Sequence, residues 1–322
     1  MYDVVALGEV LIDFTPNGTN EMGMQLFARN PGGAPANVLA MNAKLGGKTA
    51  FIGKVGSDEF GRFLVDALQD AGIDISGVRK SEDVNTTLAF VQLDDRGDRS
   101  FSFYRKPGAD ITLCAQEIKE ELIKHCRIFH FGSVSLTDEP SRGATLCAAS
   151  VAKKAGALVS YDPNYRPLLW DNEDRAKKEM LIGLELADVV KVSAEEMQLL
   201  TGETDLLLGA KGLAAHGPVL VLISLGERGA FYFSQAGAAA IATYNVHTID
   251  TTGAGDAFLG AVHYCLRNRS RQDLMRLTNE QLREIIVFAN ACGALTTTKK
   301  GAIPALPTRE EVLSCIQNTP VL

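Results

Sequence analysis

From Ile128 onward the chain alternates between two patterns. Short apolar runs at 128–131, 159–162, 189–192 and 219–224 read as strands. Helix-like segments at 140–154, 173–186, 194–200 and 205–216 separate them. Uniformly apolar runs suit strands buried on both faces, and parallel strands need a crossover between them. The alternation therefore constrains the chain to an α/β fold, with a mostly parallel sheet and helices on both sides. Residues 4–7 and 49–55 read as further strands of that sheet, and 231–233 and 239–246 as its edge strands. Helices follow at 254–266 and 281–297, and a short one ends the chain.

A second region breaks the rhythm. Residues 9–14 carry polar side chains at alternate positions, and 25–30 read as a short strand. Residues 86–93 and 99–104 flank Asp94-Asp95-Arg96-Gly97-Asp98, a hairpin signal. Segments 11–31 and 86–106 are thus expected to form a small sheet apart from the main one, within a single domain spanning 1–322.

Composition narrows the function classes. The 322 residues suffice for a sizeable core. A net charge of −7 argues against a nucleic-acid-binding face. No apolar run approaches the roughly 20 residues of a membrane helix. The six cysteines lie apart with no Cys-x-x-Cys pair, and the five histidines form no ligand cluster. Reduced, mostly buried thiols in a cytoplasmic protein are expected.

Ligands of such sheets bind beyond the C-terminal strand ends. Polar or Gly-rich stretches fall there: Asp162-Pro163-Asn164-Tyr165-Arg166-Pro167, then Lys191 with residues 193–196, then Ser224-Leu225-Gly226-Glu227-Arg228-Gly229. The most telling is Asp250-Thr251-Thr252-Gly253-Ala254-Gly255-Asp256-Ala257-Phe258, read as a turn from a strand into a helix. Glycines there permit close approach to a ligand, and the free N–H groups of a helix start attract anions. A carboxylate in that turn suits a base beside a phosphate better than a phosphate ligand. Gly253, Ala254 and Gly255 are expected to hold a transferring phosphoryl group, with Asp256 as general base. A second ligand turn reads Asn30-Pro31-Gly32-Gly33-Ala34-Pro35-Ala36-Asn37, its Pro35 suited to a helix start.

Gly32-Gly33 with Asn37, then residues 53–61, then Asp250 to Asp256, resemble the paired signatures of the pfkB-type (ribokinase-like) carbohydrate kinases. The resemblance covers nearly the whole chain. Residues 162–167 and 101–105 most resemble the fructokinases within that family. It implies a three-layer α/β/α sandwich with a small β-sheet lid that excludes water. It implies transfer of phosphate from ATP to the 6-hydroxyl of fructose. A kinase of 2-keto-3-deoxygluconate is the alternative, and a non-catalytic sugar or nucleotide sensor a more distant one.

The resemblance also assigns roles. Asp13, Gly32, Gly33 and Asn37 match sugar-binding positions. Arg105 and Arg166 match cations that hold the sugar, and Phe90 and Phe103 would cover it from the lid. On the nucleotide side it implies Lys191, Ser193, Ser224, Gly226 and Gly229 along the phosphates, with Ala289, Asn290 and Gly293 around the adenine. Glu196 matches an acid that orients Mg²⁺ through water. Ser193 stands where many relatives have Asn. Asp250 and Thr252 match positions beside a monovalent cation such as K⁺. Relatives often form homodimers through the lid.

Overall fold

The computed structural model describes residues 1–93 and 99–322. The polar link at 94–98, assigned above to a hairpin turn, lies outside the described residues. Among them run, in chain order, β1 (Tyr2–Leu7), β2 (Leu11–Thr19), β3 (Gln25–Gly32), α1 (Ala34–Lys44), β4 (Thr49–Gly56), α2 (Glu59–Asp70), β5 (Ile73–Ser81), β6 (Leu88–Leu93) and β7 (Arg99–Tyr104). Then come α3 (Glu120–Lys124), β8 (Cys126–Gly132), α4 (Ser141–Lys154), β9 (Leu158–Asp162), α5 (Glu173–Leu186), β10 (Val189–Ser193), α6 (Ala194–Thr201), α7 (Leu206–Ala214), β11 (Leu220–Ser224), β12 (Ala230–Ser234) and β13 (Gly237–Ile241). The chain ends with α8 (Ala254–Leu266), α9 (Arg271–Met275), α10 (Asn279–Thr296) and α11 (Arg309–Asn318).

The main sheet runs β13-β12-β11-β10-β9-β8-β1-β4-β5. From β11 to β5 all neighbours are parallel, and β12 and β13 add an antiparallel edge. Successive strand side chains point to opposite faces, and the core divides accordingly. Val4 and Ala6 join one apolar cluster with α1, α2, α8 and α10. Val5 and Leu7 join another with α4, α5, α6 and α7. Three layers result.

The expected β-segments at 4–7, 128–131, 159–162 and 189–192 all lie in this sheet. β5 was not foreseen, because its sequence, Ile-Asp-Ile-Ser-Gly-Val-Arg-Lys-Ser, reads as polar. It is an edge strand parallel to β4, and an edge leaves charged residues half in water. The strand expected at 239–246 ends earlier, at Ile241. Residues 242–253 are mostly irregular, and Tyr244 bridges Val321 near the end of the chain.

A second sheet runs β3-β2-β6-β7, as the segments at 11–31 and 86–106 suggest. Asp58 ties its base to the core. The Asp58 carboxylate accepts from Gly61 N at 2.7 Å, capping α2, and from Thr86 N at 2.8 Å, just ahead of β6.

Candidate active site

Residues 250–256 form a loop folded onto a neighbouring turn. Asp250 Oδ1 accepts from Thr252 N and Oγ1 at 2.9 and 2.7 Å, and its Oδ2 accepts from Gly301 N at 3.0 Å. Ile249 N and Asp250 N both donate to Thr297 O. The chain then turns through Gly253, whose φ is 76°. A Cβ there would lie 2.7 Å from Ala302 Cβ, so glycine answers both the backbone and the packing. Helix α8 starts at Ala254, and its first-turn amides have no partner within the helix.

Two cavities meet at this helix start. The larger, about 720 Å³, is lined by Ser224, Gly226, Gly229, Asn290 and Gly293, and also by the irregular run 243–246. The smaller, about 330 Å³, is lined by Asp13, Gly33, Asn37, Phe103, Arg166 and Asp256. Thr251 and Gly255 line both. A group passing between the two cavities would cross the start of α8.

On the smaller side, the second glycine turn supplies the geometry. Gly33 has φ 116°, and a Cβ there would meet Glu9 O at 2.4 Å. This turn starts α1 and places Asn37 one turn in. Asn37 Nδ2 donates to Asp256 Oδ2 at 2.8 Å, fixing the carboxylate across the cavity. Gly32 lies behind Asp13, where a Cβ would come within 2.1 Å of Asp13 Oδ2.

The electrostatics are concentrated here. Burial raises the Asp256 pKa, against the opposing pull of Lys191 and the Asn37 hydrogen bond. Burial also pushes Asp13 up to about 6, with Arg166 opposing and Asp256 adding to the rise. Lys191 pairs with Asp162 at 2.9 Å. Burial works against its charge, yet Asp162, Glu196 and Asp256 outweigh it and hold Lys191 at about 12. A Cβ on Gly255 would lie 3.0 Å from Lys191 Nζ, so the ammonium sits beside the first turn of α8.

Several expected ligands have other tasks. Arg105 does not line the cavity. It is buried, with Nε donating to Asp110 Oδ2 at 2.7 Å, Nη1 to Thr137 Oγ1 and Nη2 to Val134 O, both at 2.9 Å. Phe90 faces away from the smaller cavity. In the small sheet Asp13 pairs with Ala89 and Ala89 with Phe103, so these three share the cavity face. Phe90 is one residue out of phase and stacks on Phe14 at 4.7 Å.

Glu196 lines neither cavity. Its Oε1 accepts from Tyr165 N at 2.6 Å and its Oε2 from Ser193 N at 2.7 Å. It clamps the 162–167 loop to the start of α6. Ser193 caps that helix, accepting from Glu196 N at 3.1 Å. Lys191 lies on the smaller cavity rather than along the larger one, and Ala289 is buried behind Asn290 in the core. Asn290 donates to Ile241 O at 2.9 Å and Ala242 O at 3.1 Å, so it holds the end of β13 as well as lining the larger cavity.

Sequence reasoning missed Glu9 and Asn164, which line the smaller cavity, and Tyr244 and Val246, which line the larger. Glu9 had a signal: it alternates with Leu11 and Asp13. Asn164 had one too, in the Asp-Pro-Asn-Tyr-Arg-Pro element, and adopts φ 46° at the cavity edge.

An anion-attracting helix start between two cavities, with a carboxylate on one side, is an arrangement suited to phosphoryl transfer. Residues 1–309 match the pfkB family carbohydrate kinase model, and the chain belongs to that family. It is 47% identical over 321 residues to Fructokinase-1 of Zea mays, covering 98% of this chain and 97% of that protein. The structure of fructokinase with bound ATP from Xylella fastidiosa superposes with a TM-score of 0.91 at 35% identity, covering 98% of this chain and 99% of that one. Fructokinase from Vibrio cholerae O395, bound to fructose, ADP and a calcium ion, superposes with a TM-score of 0.88 at 36% identity, covering 97% and 98%. The fold is thus ribokinase-like, and the protein is an ATP-dependent sugar phosphotransferase.

Proposed function

We propose that this protein is a fructokinase, converting ATP and D-fructose to ADP and D-fructose 6-phosphate. The observation that carries the reading is the meeting of the two cavities at the start of α8, with the Asp256 carboxylate on the smaller side. Fructose occupies the smaller cavity and ATP the larger. Asp256 takes the proton of the 6-hydroxyl as its oxygen attacks the γ-phosphorus. The first-turn amides of α8 and the ammonium of Lys191 receive the charge of the moving phosphoryl group. Asn37 keeps Asp256 aimed, and the small sheet acts as a lid that excludes water.

Among the described residues no cluster of three or more His, Cys, Asp or Glu side chains is placed to hold a metal. A hydrated Mg²⁺ accompanying the nucleotide phosphates would supply the divalent cation, and Glu196, whose two oxygens are held by Tyr165 N and Ser193 N, would act on it only through water. When bound, Mg²⁺ would neutralise phosphate charge. The Asp250 carboxylate, drawn onto the turn at 301, supplies negative charge for a monovalent cation such as K⁺.

The cavity favours a neutral sugar over a sugar acid. Three acids line it, Glu9, Asp13 and Asp256, against two cations, Lys191 and Arg166. Arg105, which would have helped hold a carboxylate, is consumed by Asp110. A coupled assay over fructose, 2-keto-3-deoxygluconate, ribose, mannose and glucose tests this. Fructose should give the highest kcat/KM, and a preference for the sugar acid would overturn the assignment.

The face of the small sheet away from the cavity carries Phe14, Phe27 and Phe90 in ring contact; Phe14 also packs edge-on against Phe60 of α2, which covers part of this face, and Tyr104 is exposed beside the cluster. A second copy covering this face would make a homodimer. Six free cysteines fit the reducing cytoplasm, and among the described residues no helix is long and apolar enough to cross a membrane.

A further inference from the structure

Glu9 stands in the link between β1 and β2, and with Leu11 and Asp13 it lines the smaller cavity. It is only 4% exposed. One oxygen, Oε1, accepts from Ala34 N at 3.1 Å, at the start of α1. The other, Oε2, is buried with no hydrogen-bond partner among the described residues. Buried polar atoms are nearly always paired, so an unpaired one on a side chain that lines a cavity points to a partner from outside the chain. Asn37 repeats the pattern in the same cavity. Its amide nitrogen serves Asp256, while its Oδ1 is buried and unpaired among the described residues.

Two acceptors without donors thus sit on one small cavity. An occupant rich in hydroxyl donors meets both. We propose that Glu9 is a sugar-recognition residue whose Oε2 accepts a hydrogen bond from a fructose hydroxyl other than the one phosphorylated. The inference rests on the fructokinase reading and deepens it. Burial and two neighbouring charges set the environment of this carboxyl. Burial pushes it up to about 7, the Arg105 guanidinium opposes the rise and Asp110 adds to it. A carboxyl poised there is readily held ionised by a hydroxyl donor. The bland role, holding only the start of α1, uses Oε1 and leaves Oε2 unexplained.

Glu9→Gln separates the two. Gln keeps an oxygen for Ala34 N–H but replaces the free acceptor with a donor. The measurement is kcat/KM for fructose, for 1-, 3- and 4-deoxy-D-fructose, and for 2,5-anhydro-D-mannitol, with both enzymes. In the native enzyme one analogue should lose roughly 10-fold or more, the scale of a charged hydrogen bond. Glu9→Gln should lose a similar factor on fructose and little further on that analogue, while KM for ATP stays close to native and the Tm does not fall. Equal analogue penalties in the two enzymes, or no penalty for any analogue in the native one, would overturn the role of Glu9. Absence of fructose turnover by the native enzyme would instead sink the fructokinase reading.

Discussion

The two cavities are built from different materials. The smaller is charged: Glu9, Asp13, Asp256, Lys191 and Arg166 all line it. The larger is lined by loop backbone, small residues and amides, with Glu227 among its few ionisable groups. The smaller holds carboxyls displaced upward by burial, at Asp13, Glu9 and Asp256. In the larger, burial raises the Tyr244 phenol, a group that is uncharged at neutral pH in any case. The contrast matches two tasks. A sugar must be deprotonated at one hydroxyl and gripped by the others, which calls for charges. A nucleotide must be gripped by its base and phosphates, which backbone amides and apolar walls can do.

Removing the base should break this contrast most strongly. Asp256→Asn keeps the shape and the Asn37 contact but cannot take a proton. A general base contributes about 10²–10⁴-fold. We expect kcat to fall by that order while the Kd for ATP, read by calorimetry, stays within about twofold. A loss of ATP affinity matching the loss of kcat would mean that the two cavities are not separate in function.

Asp13→Asn should come next. Losing a charged hydrogen bond to the sugar should lower kcat/KM for fructose about 10- to 100-fold. It should also raise stability, and the sign follows from the shift. The folded pKa is about 6 against an ordinary 3.8. The folded state thus prefers the protonated acid. That advantage is full below about pH 4 and is lost as pH rises through 6. Asn removes the cost of ionising, so the variant should be the more stable at pH 8, by roughly 3 kcal/mol and seen as a higher Tm, with no advantage at pH 4. For the same reason the acid limb of kcat/KM in the native enzyme should lie near pH 6 rather than near pH 4.

These residues differ in how legible they were. The run around Asp256 is local: glycine turn, helix start and base lie within seven residues, so sequence alone could place them. The parallel sheet was legible for the same reason, because each buried strand declares itself in its own few residues. Facing was not local. Whether Phe90 or Phe103 covers the sugar depends on the register of β6 against β2 and β7, which no property of β6 fixes. Arg105 and Glu196 were harder to read because their partners are set by tertiary structure. Asp110 and Val134 take the one, and Tyr165 N, 31 residues away, takes the other. An Arg or Glu near a site reads as a ligand until its neighbours are known.

The larger cavity offers a smaller effect. Asn290→Ala should raise KM for ATP about 10-fold and leave KM for fructose unchanged. Two carbonyls, Ile241 O and Ala242 O, would lose their shared donor, which costs about 1–3 kcal/mol and loosens the wall of the larger cavity. Steady-state kinetics with each substrate varied in turn reads this split. An equal rise in both KM values would show that Asn290 supports α10 and α8 together rather than the larger cavity alone.

The smallest kinetic effect belongs to the face that lines neither cavity. Phe90 stacks on Phe14 and meets Phe27 edge-on at 5.7 Å, on the side of the small sheet opposite Asp13 and Phe103. Phe90→Leu should therefore leave both KM values within about twofold, since volume-conserving apolar changes are well tolerated. If a second copy packs there, the lost aromatic contacts should weaken the dimer, seen as a concentration-dependent shift to monomer in sedimentation. Phe103→Leu is the matched control on the cavity face, and should alter KM for fructose. A variant pair that reversed these outcomes would put Phe90 rather than Phe103 on the cavity face, because a one-residue slip exchanges the two faces of the sheet.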